Sequence, residues 1–227
     1  MNCVLTGAVA MIATATAAHA AALNFTTPGF RGVNPNAEYA GFESFTVPFG
    51  GPNFPDDPTS NGLPATLTQN TMPDFSMPPG ILISGDGNMY SGFQSLDLTL
   101  ADIAASPIRT VILQVRTLGT ELFYGGVGLS YVDGNGATQT LTPDVSRQLS
   151  RVSGPPIMGF PTDNVEWRFK WDLSGLADDV SAYEIGMTHF APHLSLDRIE
   201  LDTLSIPAPA SVVLLGVAMA GPLRRRR

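Results

Sequence analysis

The chain has 227 residues, of which 44% are hydrophobic and only 14% charged, enough apolar mass for one sizeable core and too well supplied with it for global disorder. Its formal charge of −8 divides unevenly: the region from Glu38 to Asp202 holds all 20 acidic groups, while four of the 12 basic ones form the terminal run. A middle so acidic repels a phosphate backbone and argues against a nucleic-acid partner.

Residues 1–20 are the first element. Val4 to Ala18 is apolar or small throughout and ends in Ala18-His19-Ala20, the small-x-small pattern of a secretory signal helix cut by signal peptidase after Ala20. No Lys or Arg precedes the apolar run, so only the amino terminus carries the usual positive charge. A buried domain helix is the competing reading, but nothing polar would give that helix a wet face. The single cysteine, Cys3, leaves with this segment. The remaining chain then has no disulfide, no Cys nucleophile and no zinc–thiolate site.

The ectodomain is expected over 21–205. Residues 28–80 are loop-rich, broken by ten prolines from Pro28 to Pro79 and by turn pairs such as Asn61-Gly62. Short strands fit Ser44–Val47 and Thr66–Asn70. Tyr39, Phe42, Phe45, Phe49 and Phe54 either form a sugar-binding platform or plug the edge of the core, and the plug is the expectation.

From Ile81 onward the pattern is β. Strands fit Ile81–Ser84, Phe93–Leu100, Ile108–Leu118 with Gln114 and Arg116 on a wet face, and Leu122–Val132. Gly125-Gly126-Val127-Gly128 marks a bulge or bend within the last of these. Asp133-Gly134-Asn135-Gly136 is a hairpin turn into Thr138–Leu141. Val165, Trp167, Phe169, Trp171 and Leu173 alternate with Glu166, Arg168, Lys170 and Asp172, a half-buried strand with two tryptophan anchors. Tyr183, Ile185 and Met187 continue the alternation. Leu194 and Leu196 then differ in parity from Ile199 and Leu201, which calls for a β-bulge near Asp197-Arg198. Strands without intervening helices imply an all-β, antiparallel, jelly-roll-like sandwich.

Signals for chemistry are weak. His189, His193 and Asp197 are spaced at intervals of four and could hold a metal, but solvated loop positions are the expectation. There is no Gly-x-Ser-x-Gly elbow, no phosphate loop and no His-Glu-x-x-His helix. Asp86-Gly87-Asn88 and Asp133-Gly134-Asn135 read as turns, with a structural Ca²⁺ held by loop oxygens as the open alternative. No other cofactor is expected. A glycosidase would need two facing carboxylates, which spacing alone does not display.

The last element spans 206–227. Ile206 to Leu223 is an uncharged stretch of 18 residues stopped by Arg224, Arg225, Arg226 and Arg227, a short membrane span with its arginines on the cytoplasmic side. Pro207 and Pro209 keep the approach extended. The order Pro207-x-Pro209-Ala210-Ser211, a short apolar helix containing Gly216 and a terminal Arg cluster resembles the PEP-CTERM sorting signal. With Ala208 where the family name has Glu, it is closer to the Val-Pro-Leu-Pro-Ala variant, Ile206 standing for Val. The runs Phe169–Leu176 and Ser195–Thr203 also resemble the final strands of PEP-CTERM ectodomains, which are similar to carbohydrate-binding sandwiches. The resemblance implies export in a Gram-negative bacterium and tethering to the inner membrane by the C-terminal helix. It further implies processing by an exosortase-type protease, then a place at the cell surface or in the extracellular matrix in association with exopolysaccharide and biofilm. The sequence reading is a non-catalytic exported surface protein. A carbohydrate-binding module is the alternative, and a polysaccharide hydrolase a more distant one.

Overall fold

The computed structural model describes residues 25–206 apart from 63, 73, 75–79, 157–158, 161 and 191. The expected signal helix with Ala18 and Ala20, and the expected tail with Pro207, Pro209, Ala210, Ser211 and Arg224 to Arg227, lie outside the described residues. Among those described, no helix is long and apolar enough to cross a membrane.

The chain forms two antiparallel sheets. The larger runs β10 (Val145–Val152), β11 (Asp163–Asp172), β7 (Ile108–Gly119) and β13 (Leu194–Ser205). On the far side of β13, β5 (Met89–Ser91) and β4 (Ile81–Ile83) flank its first residues and β1 (Ala37–Phe42) its later ones. The smaller sheet runs β2 (Pro52–Asn53), β3 (Thr66–Gln69), β6 (Leu96–Ile103), β12 (Ala182–His189), β8 (Gly128–Val132) and β9 (Thr138–Leu141).

The core lies between the sheets and follows the period of two. Leu96, Leu98 and Leu100 of β6 and Tyr183, Ile185 and Met187 of β12 face Val111, Leu113 and Val115 of β7, Phe169 and Trp171 of β11, and Ile199 and Leu201 of β13. Each large side chain so enclosed contributes about 1.5–3 kcal/mol. The expected bulge is present: the ladder between β13 and β7 shifts register between Leu196 and Arg198. The extra residue brings Leu194 and Ile199 onto the same inward face despite their opposite parity. The Asp133 hairpin is also as expected. Its carboxylate accepts the backbone N–H groups of Asn135 and Ala137 and the Gln139 amide, which holds it below the usual carboxylate range.

Four expectations need correction. Ser44–Val47 is not a strand: the N–H groups of Thr46 and Val47 are taken by the buried Asn53 side chain, and that of Phe45 by the carbonyl of Gly87. The Gly-rich run after Phe123 is a 3-10 turn over Tyr124–Gly126 that leads into β8. Strand β10 was not expected at all. It is an edge strand largely exposed on both faces, so it has no apolar alternation to betray it.

The largest correction concerns the wet face of β7 and β11. Gln114 and Glu166 are buried, because residues 25–36 cross the outside of the larger sheet. The Thr26 N–H donates to Gln114 Oε1 at 2.9 Å. Arg31 donates to Asp202 and Glu200 at 2.5–2.6 Å and lies 3.9 Å from the centre of the Tyr39 ring. The Phe25 ring sits 5.2 Å from the Arg116 guanidinium and 5.7 Å from that of Arg198. The face is polar, as the alternation demands, but over β7 and β13 it is covered by this N-terminal arm, whose contacts reach Gln114, Arg116, Arg198, Glu200 and Asp202, while Arg168 and Lys170 of β11 stay partly exposed.

Candidate functional site

Four connections meet at one end of the sandwich: those after β5, β7, β10 and β12. The ladders place them together, since Leu194 opposes both Ser91 and Gly119, and Asp163 opposes Gly119 as well. The opposite end of β13 leads to Ile206, whose N–H donates to the carbonyl of Pro107. The four connections and the chain's exit toward the tail therefore occupy opposite ends of one strand.

His193 is the centre of the loop end. Its φ of 63° makes it the one described non-glycine residue in the left-handed region, a conformation that costs an L side chain about 1–2 kcal/mol. Two other loops hold it there: its N–H donates to the Gly92 carbonyl at 2.7 Å, and its own carbonyl accepts from Thr120 at 3.0 Å. The imidazole is boxed by rings. Tyr90 Oη lies 2.6 Å from Nδ1, the Phe160 ring is centred 3.9 Å away, and Phe93 meets it edge-on at 5.0 Å. Burial raises the Tyr90 phenol. Nε2 is buried and has no hydrogen-bond partner among the described residues. A strained backbone, a fixed ring and an unmet polar atom meet in this one residue.

Exposed aromatics extend the site. Phe93, Phe123 and Phe190 are 49%, 54% and 72% exposed. Phe123 and Phe190 stand 6.0 Å apart and 54° from parallel, forming an angled cleft instead of a flat platform. Gly126 makes room for this, since a Cβ there would sit 2.7 Å from the Phe123 ring. Beneath them Tyr124 stacks on Trp167 at 4.0 Å, and the Trp167 indole N–H donates to Glu121 at 3.3 Å. Arg151 joins Glu121 and Asp163 in a salt-bridged group that fixes the floor. The sequence reading put Phe93 and Phe123 inside strands, whereas β6 begins at Leu96 and β8 at Gly128; Phe160 and Phe190 had no signal, because isolated aromatics in loops carry no period.

The residues singled out from the sequence fare differently. His189 is fully buried, with Nδ1 2.8 Å from the Glu121 carbonyl, and is not a solvated loop residue. Asp197 pairs with Arg116 at 3.4 Å. His189, His193 and Asp197 are thus not gathered, and among the described residues no group of three or more His, Cys, Asp or Glu could hold a metal ion. Phe42 and Phe45 are buried in the core as expected; Tyr39 is buried outside it, under Arg31 and donating to Asp57, and Phe54 is exposed.

A carboxylate pair does exist elsewhere. Glu38 and Asp102 line a hollow between the sheets with Tyr39, Asn61 and Thr203. Burial raises both carboxyls, and Asp102 adds to the effect on Glu38. Tyr183 donates to Asp102 at 2.9 Å. The hollow has no room for a water molecule, so no glycosidic bond reaches these two groups. They are a buried polar contact between the sheets.

No protein-family model matches the chain, and no curated protein matches it in sequence. Solved structures with a similar fold include the CBM22-1 xylan-binding domain of Xyn10C from Paenibacillus barcinonensis, at 10% identity and a TM-score of 0.38 over 74% of this chain and 94% of that one. TmCBM61 in complex with β-1,4-galactotriose matches at 11% identity and a TM-score of 0.25 over 67% of this chain and 88% of that one. The enzymatically active domain of tailspike protein 4 from bacteriophage CBA120 matches at 12% identity and 0.31 over 73% of this chain, which spans 19% of that one. The likeness is one of coarse β-sandwich architecture.

Proposed function

We propose that the chain is an exported, non-catalytic β-sandwich that binds a saccharide in the aromatic cleft around His193. One observation carries this reading: His193 combines a left-handed backbone, a buried Nε2 without a partner and a box of rings, beside three exposed phenylalanines. Exposed rings cover the apolar faces of a sugar, and the packed rings around His193 hold the cleft's wall in place. The raised carboxyls of Glu38 and Asp102 line a hollow with no room for a water molecule, away from the cleft, and the cleft's own Glu121 and Asp163 are both salt-bridged to Arg151.

Isothermal titration of the full chain with xylan and with β-1,4-galactotriose tests this. A Phe123→Ala/Phe190→Ala variant is expected to bind at least about tenfold more weakly, since each aromatic contact is worth about 1 kcal/mol. His193→Gly relieves the backbone strain and removes the ring. It is expected to keep stability within about 1 kcal/mol and still lose binding. Unchanged titrations in both variants would dismiss the cleft as a sugar site.

The second half of the reading concerns address. Processing after Ala20 and near Pro207 and Pro209, with Arg224 to Arg227 as the positive stop, would deliver the sandwich to the cell surface or matrix. It accords with where β13 ends: the strand reaches Ile206 at the end remote from the cleft, so a membrane tether beyond it would present the cleft outward. In the native host, the wild type is expected to lose both terminal segments and leave the membrane fraction. A Pro207→Ala/Pro209→Ala variant is expected to stay behind with its tail. An intact tail and membrane residence in both would refute sorting.

A further inference from the structure

Eight basic residues serve a domain with 20 acidic ones, and they fall into two sets. Arg31, Arg116, Arg151 and Arg198 each make salt bridges. Arg109, Arg147, Arg168 and Lys170 make none among the described residues, although the domain's acidic groups outnumber its basic ones 20 to eight. All four stand on β7, β11 and β10, three consecutive strands at one edge of the larger sheet.

Three of the four share a face. Arg147 of β10 lies directly opposite Arg168 of β11, and Lys170 follows two residues along, opposite Val145, so the three charges line one side of the ladder. Like charges opposed across a ladder are unfavourable in a bare sheet. The nearby acids attract them through space, Asp172 drawing on Lys170 and Asp202 on Arg168, but form no salt bridge with them among the described residues and are bonded elsewhere. Glu166 is taken by Arg116 at 2.6 Å and by the Ser150 hydroxyl at 2.8 Å. Asp172 accepts both the N–H and the hydroxyl of Ser174, and Asp202 is engaged by Arg31. Arg147 is exposed, Arg168 and Lys170 half-buried, so the strip meets solvent.

We infer that Arg147, Arg168 and Lys170 form a binding strip for an acidic polysaccharide, pairing with carboxylates along its chain. The bidentate fork of each Arg suits a carboxylate. The surplus of acidic groups elsewhere on the domain repels a polyanion as dense as nucleic acid and tolerates one with a single charge per sugar. The inference takes from the saccharide reading only that the ligand is a glycan. It places charge recognition on a different surface from the cleft.

The test is titration of the full chain with polygalacturonate, neutral xylan and double-stranded DNA at low and high salt. Polygalacturonate is expected to bind, and to weaken as salt rises. The Arg147→Gln/Arg168→Gln/Lys170→Gln variant is expected to lose at least about tenfold of that affinity with xylan binding unchanged. Arg198→Gln, a charge change inside a salt-bridged group away from both the cleft and the strip, should leave polygalacturonate binding in place. Equal affinity in wild type and triple variant would overturn the strip, as would DNA binding as tight as polygalacturonate. If xylan binding survives such a result, the cleft reading stands. If polygalacturonate binds through the strip while xylan does not bind at all, the strip stands and the cleft reading fails.

Discussion

Arg31→Ala is expected to destabilise the fold by about 3–5 kcal/mol, the cost of stranding a buried charge when its partner is removed. The Asp202 side chain is 0% exposed and that of Glu200 5%, against 19% for Arg31. Glu200 keeps a second partner in Arg198 at 2.8 Å, whereas Asp202 loses its only salt bridge. Urea unfolding measures the loss.

Its pH dependence gives the sharper signature. Burial already raises the Asp202 carboxyl above its ordinary range even with Arg31 in place, and removing the guanidinium raises it further. A carboxyl raised in the folded state holds a proton that the unfolded chain has released, so stability falls as pH rises through that interval. The variant should therefore regain stability as pH is lowered from 7 toward the ordinary carboxylate range near 4, where the penalty is fully relieved. A pH-independent loss below about 1 kcal/mol would mean that the arm does not close this face.

Trp171→Ala is the second large effect, at about 3–5 kcal/mol. The indole is 1% exposed near the C-terminal end of β11, with Phe169 6.5 Å away ring to ring. Its N–H donates to the Leu141 carbonyl at 3.2 Å and so reaches the other sheet's edge strand, β9. Trp167 is only partly buried and borders the loop end, so Trp167→Ala should cost distinctly less. Trp171→Phe retains most of the apolar volume and orphans the carbonyl, for a loss of about 1–3 kcal/mol. Denaturation midpoints at constant slope separate these cases. Equal losses at the two tryptophans would contradict the assignment of Trp171 to the core.

What was legible in the sequence was whatever a period of two writes into neighbouring residues. The alternation of Val165 to Leu173, the Asp133 hairpin and the parity break at Asp197-Arg198 all reappear in the ladders. What was not legible depends on distant parts of the chain. Arg31 meets Asp202 across 171 positions, and the burial of Gln114 follows from Thr26, 88 residues away. Strand β10 hides because an edge with two exposed faces needs no apolar side. His193 read as a solvated loop residue, yet its setting is made by Tyr90, Phe93 and Phe160, which strand β5, the connection after it and the connection after β10 bring to it.

The placement of β13 has a mechanical consequence. The strand joins the His193 loop to Ile206 and spans 12 residues, roughly 40 Å at about 3.3 Å per residue. Along that length it is bonded to β7 on one flank, and to β5 and then β1 on the other. Tension applied between its two ends runs parallel to the strand. The ladder bonds then bear load together in shear, instead of parting one after another as in a zipper. Rupture under force is governed by the unfolding rate, and shear loading keeps that rate low. A sandwich gripped at residue 206 and pulled through its aromatic end would thus behave as a stiff link in series, its pulled strand the best braced in the molecule.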